Sequence, residues 1–132
     1  MIVIGADTHK ATHMLVAVDG ATGEVLGERE IPADEDGHLQ ALRWAHELGA
    51  ELVWAIEDCR HVSAHLERAL MCAGERVLRV PPSMMGSSRR GEREPGKSDR
   101  IDARAVARAV LREGADRFAA AQLDEATMEI LC

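Results

Sequence analysis

The chain has almost no aromatic side chains: no Tyr, one Phe and two Trp in 132 residues. Binding of nucleic acid by stacking bases on an aromatic platform is therefore a poor fit. No apolar run is long enough to cross a membrane. Asp7 and Lys10 interrupt the apolar start, so no signal peptide is expected either. There are no internal repeats. The three cysteines, Cys59, Cys72 and Cys132, are odd in number and lack the paired spacing of a metal site. They read as reduced thiols of a cytosolic protein. What remains is about one domain's worth of chain, long enough to bury a proper core.

Charge is present but unevenly spread. The net charge of −7 argues at first against nucleic acid. Up to Gly86, however, there are seven basic and fourteen acidic residues, so the negative balance lies there. Between Arg89 and Arg112 the count reverses, to eight basic against four acidic. Arg89, Arg90, Arg93, Lys97, Arg100, Arg104 and Arg108 are the candidate phosphate contacts, since phosphate responds to a local basic patch rather than to overall charge. The plainer alternative is a solvated helix face.

Hydrophobic periodicity gives the order of elements. Residues 1–6 form an apolar, β-branched strand ending at Asp7. Strands at 13–18 and 24–31 flank the turn-rich Asp19-Gly20-Ala21-Thr22-Gly23 and make a hairpin. Asp34-Glu35-Asp36 opens a helix carried by Leu39, Leu42, Ala45 and Leu48. A short buried strand at 51–56 ends in Glu57, a helix runs from Val62 to Gly74, and a fifth strand covers 76–80. Residues 81–97 show no period, and a connection of that length is usually functional or disordered. A third helix is expected from about Asp99 to about Glu113, with Asp99 placed to cap it. After Gly114 a further helical stripe (Leu123, Thr127, Ile130, Leu131) runs to the last residues, as in a piece of something longer.

Three strands, helix, strand, helix, strand, helix is the order of an α/β, ribonuclease-H-like fold: a mixed five-stranded sheet with helices on both faces. Ligand sites in such sheets collect at the carboxyl ends of neighbouring parallel strands. There Asp7 and Glu57 would meet Asp99 and Asp102, which lie one helical turn apart on one face. Four carboxylates cannot all stay ionised together without cations or raised pKa values. Hard oxygen donors with room for water suit Mg²⁺ or Mn²⁺, and two ions would clamp a phosphodiester. Taken singly, each acid has a simpler role as turn former, cap or helix-start residue; the case rests on their joint placement. Asp58 should point away from its neighbour Glu57. His9 and His13 flank a turn rather than lying on one helix face, and receive no metal role. Trp44 and Trp54 read as packing residues.

Gly5-Ala6-Asp7-Thr8-His9-Lys10, Trp54-Ala55-Ile56-Glu57 and Gly96-Lys97-Ser98-Asp99-Arg100-Ile101-Asp102-Ala103 resemble the three blocks of the DEDD transposases of the insertion-sequence-110 family, which includes the Piv-type DNA invertases. The resemblance covers residues 1–113, and the last block is its most specific part. It implies a RuvC-like catalytic domain over 1–113, with 114–132 the start of a truncated, coiled-coil-like helical region. It implies divalent metal, two Mg²⁺ or Mn²⁺ ions, on Asp7, Glu57, Asp99 and Asp102, and DNA cleavage and transfer in a bacterial cytoplasm. The partners it implies are DNA, a structured guide RNA, a second domain bearing a serine nucleophile, and further copies of the full protein. Here Asp58-Cys59-Arg60-His61 follows Glu57, where many members carry a Gly/Ser-rich turn. Two other readings compete. One is a non-catalytic nucleic-acid-binding or dimerisation module. The other is an actin- or sugar-kinase-like ATP-binding lobe, for which the phosphate-cradling glycines after Asp7 are missing.

Overall fold

A computed structural model describes residues 1–58, 60–84, 97–122, 126, 129–130 and 132. Strands β1 (Ile2–Thr8), β2 (Thr12–Asp19) and β3 (Val25–Pro32) come first. Helix α1 (Glu35–Leu48), strand β4 (Leu52–Glu57), helix α2 (Arg60–Cys72) and strand β5 (Arg76–Val80) follow, and then helix α3 (Lys97–Glu113). The sheet order is β3-β2-β1-β4-β5. β1 pairs antiparallel with β2 and parallel with β4, and β5 continues the parallel side. This is the mixed five-stranded sheet expected from the element order.

Local chemistry accounts for the boundaries. Asp19 Oδ1 accepts from the Ala21 amide at 2.7 Å, which turns the β2–β3 hairpin. The Asp34 carboxylate accepts from the Gly37 amide at 2.8 Å and caps α1, with Glu35 and Asp36 adding favourable charge in its first turn. Gly74, at φ +82°, ends α2: its amide reaches Met71 O and the Glu75 amide reaches Leu70 O, each at 3.0 Å.

Alternation along the strands splits the core into two layers. Val3, Val16, Ala55 and Leu78 face α3, packed against Ala103, Val106 and Val110. Ile4, Leu15, Trp54 and Ile56 face α1 and α2, packed against Ala41, Ala45, Leu66 and Leu70. Trp54 is a packing residue, and its indole N–H donates to Glu75 Oε1 at 2.9 Å. Under α2, the Arg79 guanidinium donates to the buried Glu67 carboxylate through both Nε and Nη2.

α3 lies unusually close to the sheet, and Gly5 is the reason. A Cβ there would stand 2.0 Å from Ala103 O and 2.7 Å from Ala107 N. Only glycine on β1 and small residues on α3 permit this approach.

Two sequence expectations need correction, the capping role of Asp99 and the free thiols of Cys72 and Cys132. α3 begins at Lys97, so Asp99 lies inside its first turn rather than capping it. After Gly114 the chain forms a short 3-10 turn, Ala115–Arg117, and then joins the outer edge of β5. The Arg79 amide donates to Ala119 O at 3.0 Å and the Ala121 amide to Val77 O at 2.9 Å. This edge contact precedes the stretch expected to be helical, in which the described residues 126, 129 and 130 are helical. Finally, Cys72 and Cys132 form a disulfide, with Cα atoms 5.4 Å apart, so these two are not free thiols. They are 60 residues apart in sequence, a pairing no spacing rule could reveal. The expectations placed on Cys59, on residues 85–96 and on Leu123, Thr127 and Leu131 lie outside the described residues.

Candidate metal centre

The site is built at the carboxyl end of β1. Parallel register pairs Ala6 with Ile56, which brings Asp7 and Glu57 to the same level on adjacent strands. Adjacent strands run about 4.8 Å apart. Both side chains fall on the α3 side of the sheet, and both are buried, 7 % and 5 % exposed. The next residue, Asp58, turns to the other face as expected, where its charge acts on Arg79.

α3 supplies the third side of the site. Its first turn carries Asp99, and Asp102 follows one turn on; both are half-buried. The close approach at Gly5 fixes α3 over β1, so its N-terminal turn overhangs Asp7. Asp99 and Asp7 meet through a residue that the sequence left out of the site. His9 Nε2 lies 2.9 Å from Asp7 Oδ2 and 3.1 Å from Asp99 Oδ1. The missed signal is one of distance: His9 and Asp99 are 90 residues apart, and only the packing of α3 on β1 joins them. His13, four residues on, points to the opposite face. It is fully buried and stacks against His38 with ring centroids 6.3 Å apart.

Electrostatics reflect this crowding. Burial pushes the Asp7 carboxyl up to about 6, His9 pulls it down by hydrogen bond and charge, and Asp102 and Asp99 push it further up. Both α3 aspartates lie close enough for their charge to act on Asp7. For His9, burial works against the charged ring. The hydrogen bond and charge of Asp7, followed by those of Asp99, outweigh that cost and raise its pKa. Among the described residues, the one group of acidic, histidine and cysteine side chains close enough to hold a metal together is Asp7, His9 and Asp99. Its donors, two carboxylates and an imidazole, fit a divalent cation.

The basic candidates divide. Arg89, Arg90 and Arg93 lie outside the described residues, and Lys97 opens α3. Arg100 Nε pairs with Glu28 Oε2 of β3 at 3.2 Å. Arg100 and Arg104 border a cleft of about 210 Å³ between α3 and the hairpin. Arg108 Nη2 reaches Gly23 O at 3.4 Å and is otherwise exposed. These arginines thus run along the hairpin side of α3, away from β4.

Strand order, strand directions and acids at the ends of β1 and β4 under a third helix define a ribonuclease-H-like domain of RuvC type. Two solved structures of Thermus thermophilus RuvC share the fold. One, in complex with a Holliday junction substrate, aligns with a TM-score of 0.63 at 16% identity over 92% of this chain and 99% of that one. The other gives 0.64 at 15% identity over 92% and 100%. A family model described as Transposase, of the DEDD insertion-sequence-110 type, matches residues 4–131, and the chain belongs to that family. Its curated relatives include an uncharacterized 44.8 kDa protein of insertion element IS116 from Streptomyces clavuligerus, 33% identical over 80% of this chain. Another is the uncharacterized 42 kDa protein of insertion element IS900 from Mycobacterium paratuberculosis, 30% identical over 78% of the chain. The chain spans about a quarter (26%) of the length of these two relatives.

Proposed function

We infer that this chain is the metal-dependent, nuclease-like domain of a DNA transposase, with Asp7, Glu57, Asp99 and Asp102 as its metal-holding and catalytic carboxylates. The observation that carries this reading is the convergence of Asp7 and Asp99 on one imidazole nitrogen at the carboxyl end of β1. Groups of that charge and spacing, half enclosed by protein, are arranged to hold a cation. The four acids would take Mg²⁺ or Mn²⁺, in keeping with two ions. When bound, such ions activate an attacking oxygen and stabilise a leaving oxygen of a phosphodiester.

The protein's own part is placement. β1 and β4 hold Asp7 and Glu57 in a buried floor, and α3 brings Asp99 and Asp102 over it from the opposite side. Arg104 and Arg108, with Lys97 and Arg100, are the proposed phosphate contacts along the approach, and Arg89, Arg90 and Arg93 extend them in sequence. Branched DNA is the proposed substrate class, since the RuvC structure of the same fold was captured on a Holliday junction. A structured guide RNA, further copies of the protein and a serine-bearing second domain complete the proposed assembly, in the bacterial cytoplasm. Residues 1–113 are the proposed catalytic unit. A role for the second domain accords with the relatives' greater length.

The test is metal-dependent stability. Cation at about a hundred times its Kd contributes about 2.7 kcal/mol, roughly 10 °C in melting temperature for a chain of this size. Millimolar Mn²⁺ or Mg²⁺ should therefore raise the wild-type melting temperature, and Asp102→Ala should abolish the rise. A wild-type midpoint unmoved by either cation would count decisively against the reading.

A further inference from the structure

We propose that His9 is a direct ligand of the bound cation, and that through it the site takes Mn²⁺, or another cation that accepts nitrogen, in preference to Mg²⁺. This rests on the metal-site reading above and adds to it a nitrogen donor outside the four carboxylates.

Geometry comes first. In an octahedral site with ligand distances of about 2.1 Å, adjacent ligand atoms stand about 3.0 Å apart. His9 Nε2 is 2.9 Å from Asp7 Oδ2 and 3.1 Å from Asp99 Oδ1. The nitrogen is therefore spaced from each oxygen as one ligand from its neighbour. Carboxylates only accept hydrogen bonds, so both oxygens converge on a point where positive charge is wanted.

The backbone supports this placement. The His9 amide donates to Thr12 O at 3.0 Å, which pins the tight turn between β1 and β2. The side chain is half exposed, at 50%, so the ring can adjust by the few tenths of an ångström that bond formation needs. In that state the imidazole binds through Nε2 and keeps its hydrogen on Nδ1.

Chemistry then sets the preference. Mg²⁺ demands oxygen ligands and gives up its waters reluctantly. Imidazole is a better partner for Mn²⁺ and for later transition ions. With His9 the donor set is mixed; without it, the set is all oxygen. His9 thus acts as the specificity-determining member of the centre.

The experiment uses the protein with Mn²⁺ and with Mg²⁺ as probes, for the wild type and His9→Ala. Pulsed electron paramagnetic resonance of bound Mn²⁺ should show histidine nitrogen coupling in the wild type and none in His9→Ala. By calorimetry, the variant should lose about tenfold or more in Mn²⁺ affinity and under about threefold for Mg²⁺. Because His9 is half exposed in a turn, the metal-free variant should melt within a few degrees of the wild type. Mn²⁺ bound without nitrogen coupling, or equal losses for both ions, overturns the role of His9 and leaves the carboxylate centre standing. A wild type that binds neither ion overturns the centre itself, and this inference with it.

Discussion

At the scale of single residues, two buried groups oppose each other in their dependence on pH. Asp7 has its carboxyl raised from 3.8 to about 6, chiefly by burial. Unfolded, it ionises as pH climbs past 3.8; folded, it resists until about 6, so metal-free stability falls across that window and the loss is complete above it. The size is about 3 kcal/mol. His13 is lowered from 6.5 to about 4, first by burial and then by the neighbouring His38, so its contribution is full above 6.5 and is lost as pH falls toward 4. The two slopes have opposite sign and similar size, and the wild-type profile between those limits should be shallow. Asp7→Asn removes one of them. In metal-free buffer it should melt several degrees above the wild type at pH 8 and level with it at pH 4. Thermal melts across pH check this, and equal midpoints at pH 8 would mean that Asp7 carries no such burden.

At the scale of elements, the contact of α3 with β1 is what assembles the site. Gly5→Ala drives a methyl into the α3 backbone, 2.0 Å from Ala103 O. Overpacking of this kind costs about 1–3 kcal/mol and more where backbone must move. The expected result is a melting temperature lowered by roughly 5–10 °C and a weakened response to Mn²⁺, because Asp99 and Asp102 shift with the helix. A variant that melts lower but binds Mn²⁺ as the wild type does would show that α3 is not the positioning element. Much of this level was legible in the sequence. Alternation and turn residues located all five strands, and strand direction followed from which connections carried helices. The acids at the ends of β1 and β4 followed from the same logic. His9 did not, because its partner lies on α3 and turn placement alone says nothing about what packs overhead. The exact start of α3 and the return of residues 119–121 to β5 were hidden for the same reason: tertiary contacts decide them, not local pattern.

At the scale of the whole molecule, charge is segregated by sequence and by face. The excess of acid lies before Gly86, while α3 carries Arg100, Arg104 and Arg108 along its hairpin side. The proposed centre of Asp7, Glu57, Asp99 and Asp102 is itself negative, so on the proposed reading a phosphate would be drawn in by cation and arginine together. Arg104→Glu with Arg108→Glu should weaken binding of branched DNA and make the salt dependence of its affinity shallower by about two phosphate contacts. Titrations at several salt concentrations measure that slope, and an unchanged slope would place the DNA elsewhere. The Arg89-Arg90-Arg93 cluster and the periodicity-free segment around it were visible in the sequence as a basic stretch, and their proposed phosphate contacts depend on the substrate as much as on the chain.

The two rims of the sheet bear on how one molecule can meet another. β3 is the outer strand on one side, and it presents the exposed charges Glu28, Arg29 and Glu30 beside Gly27. Like-sheet pairing there would have to bring these charges against a second copy of themselves. On the other side, Ala119 and Ala121 already hydrogen-bond to β5 and occupy part of its free edge. Among the described residues, both rims thus carry features that hinder strand addition. Any association between copies of this domain should therefore run through helices and loops, with the sheet in each copy resistant to runaway strand-on-strand polymerisation.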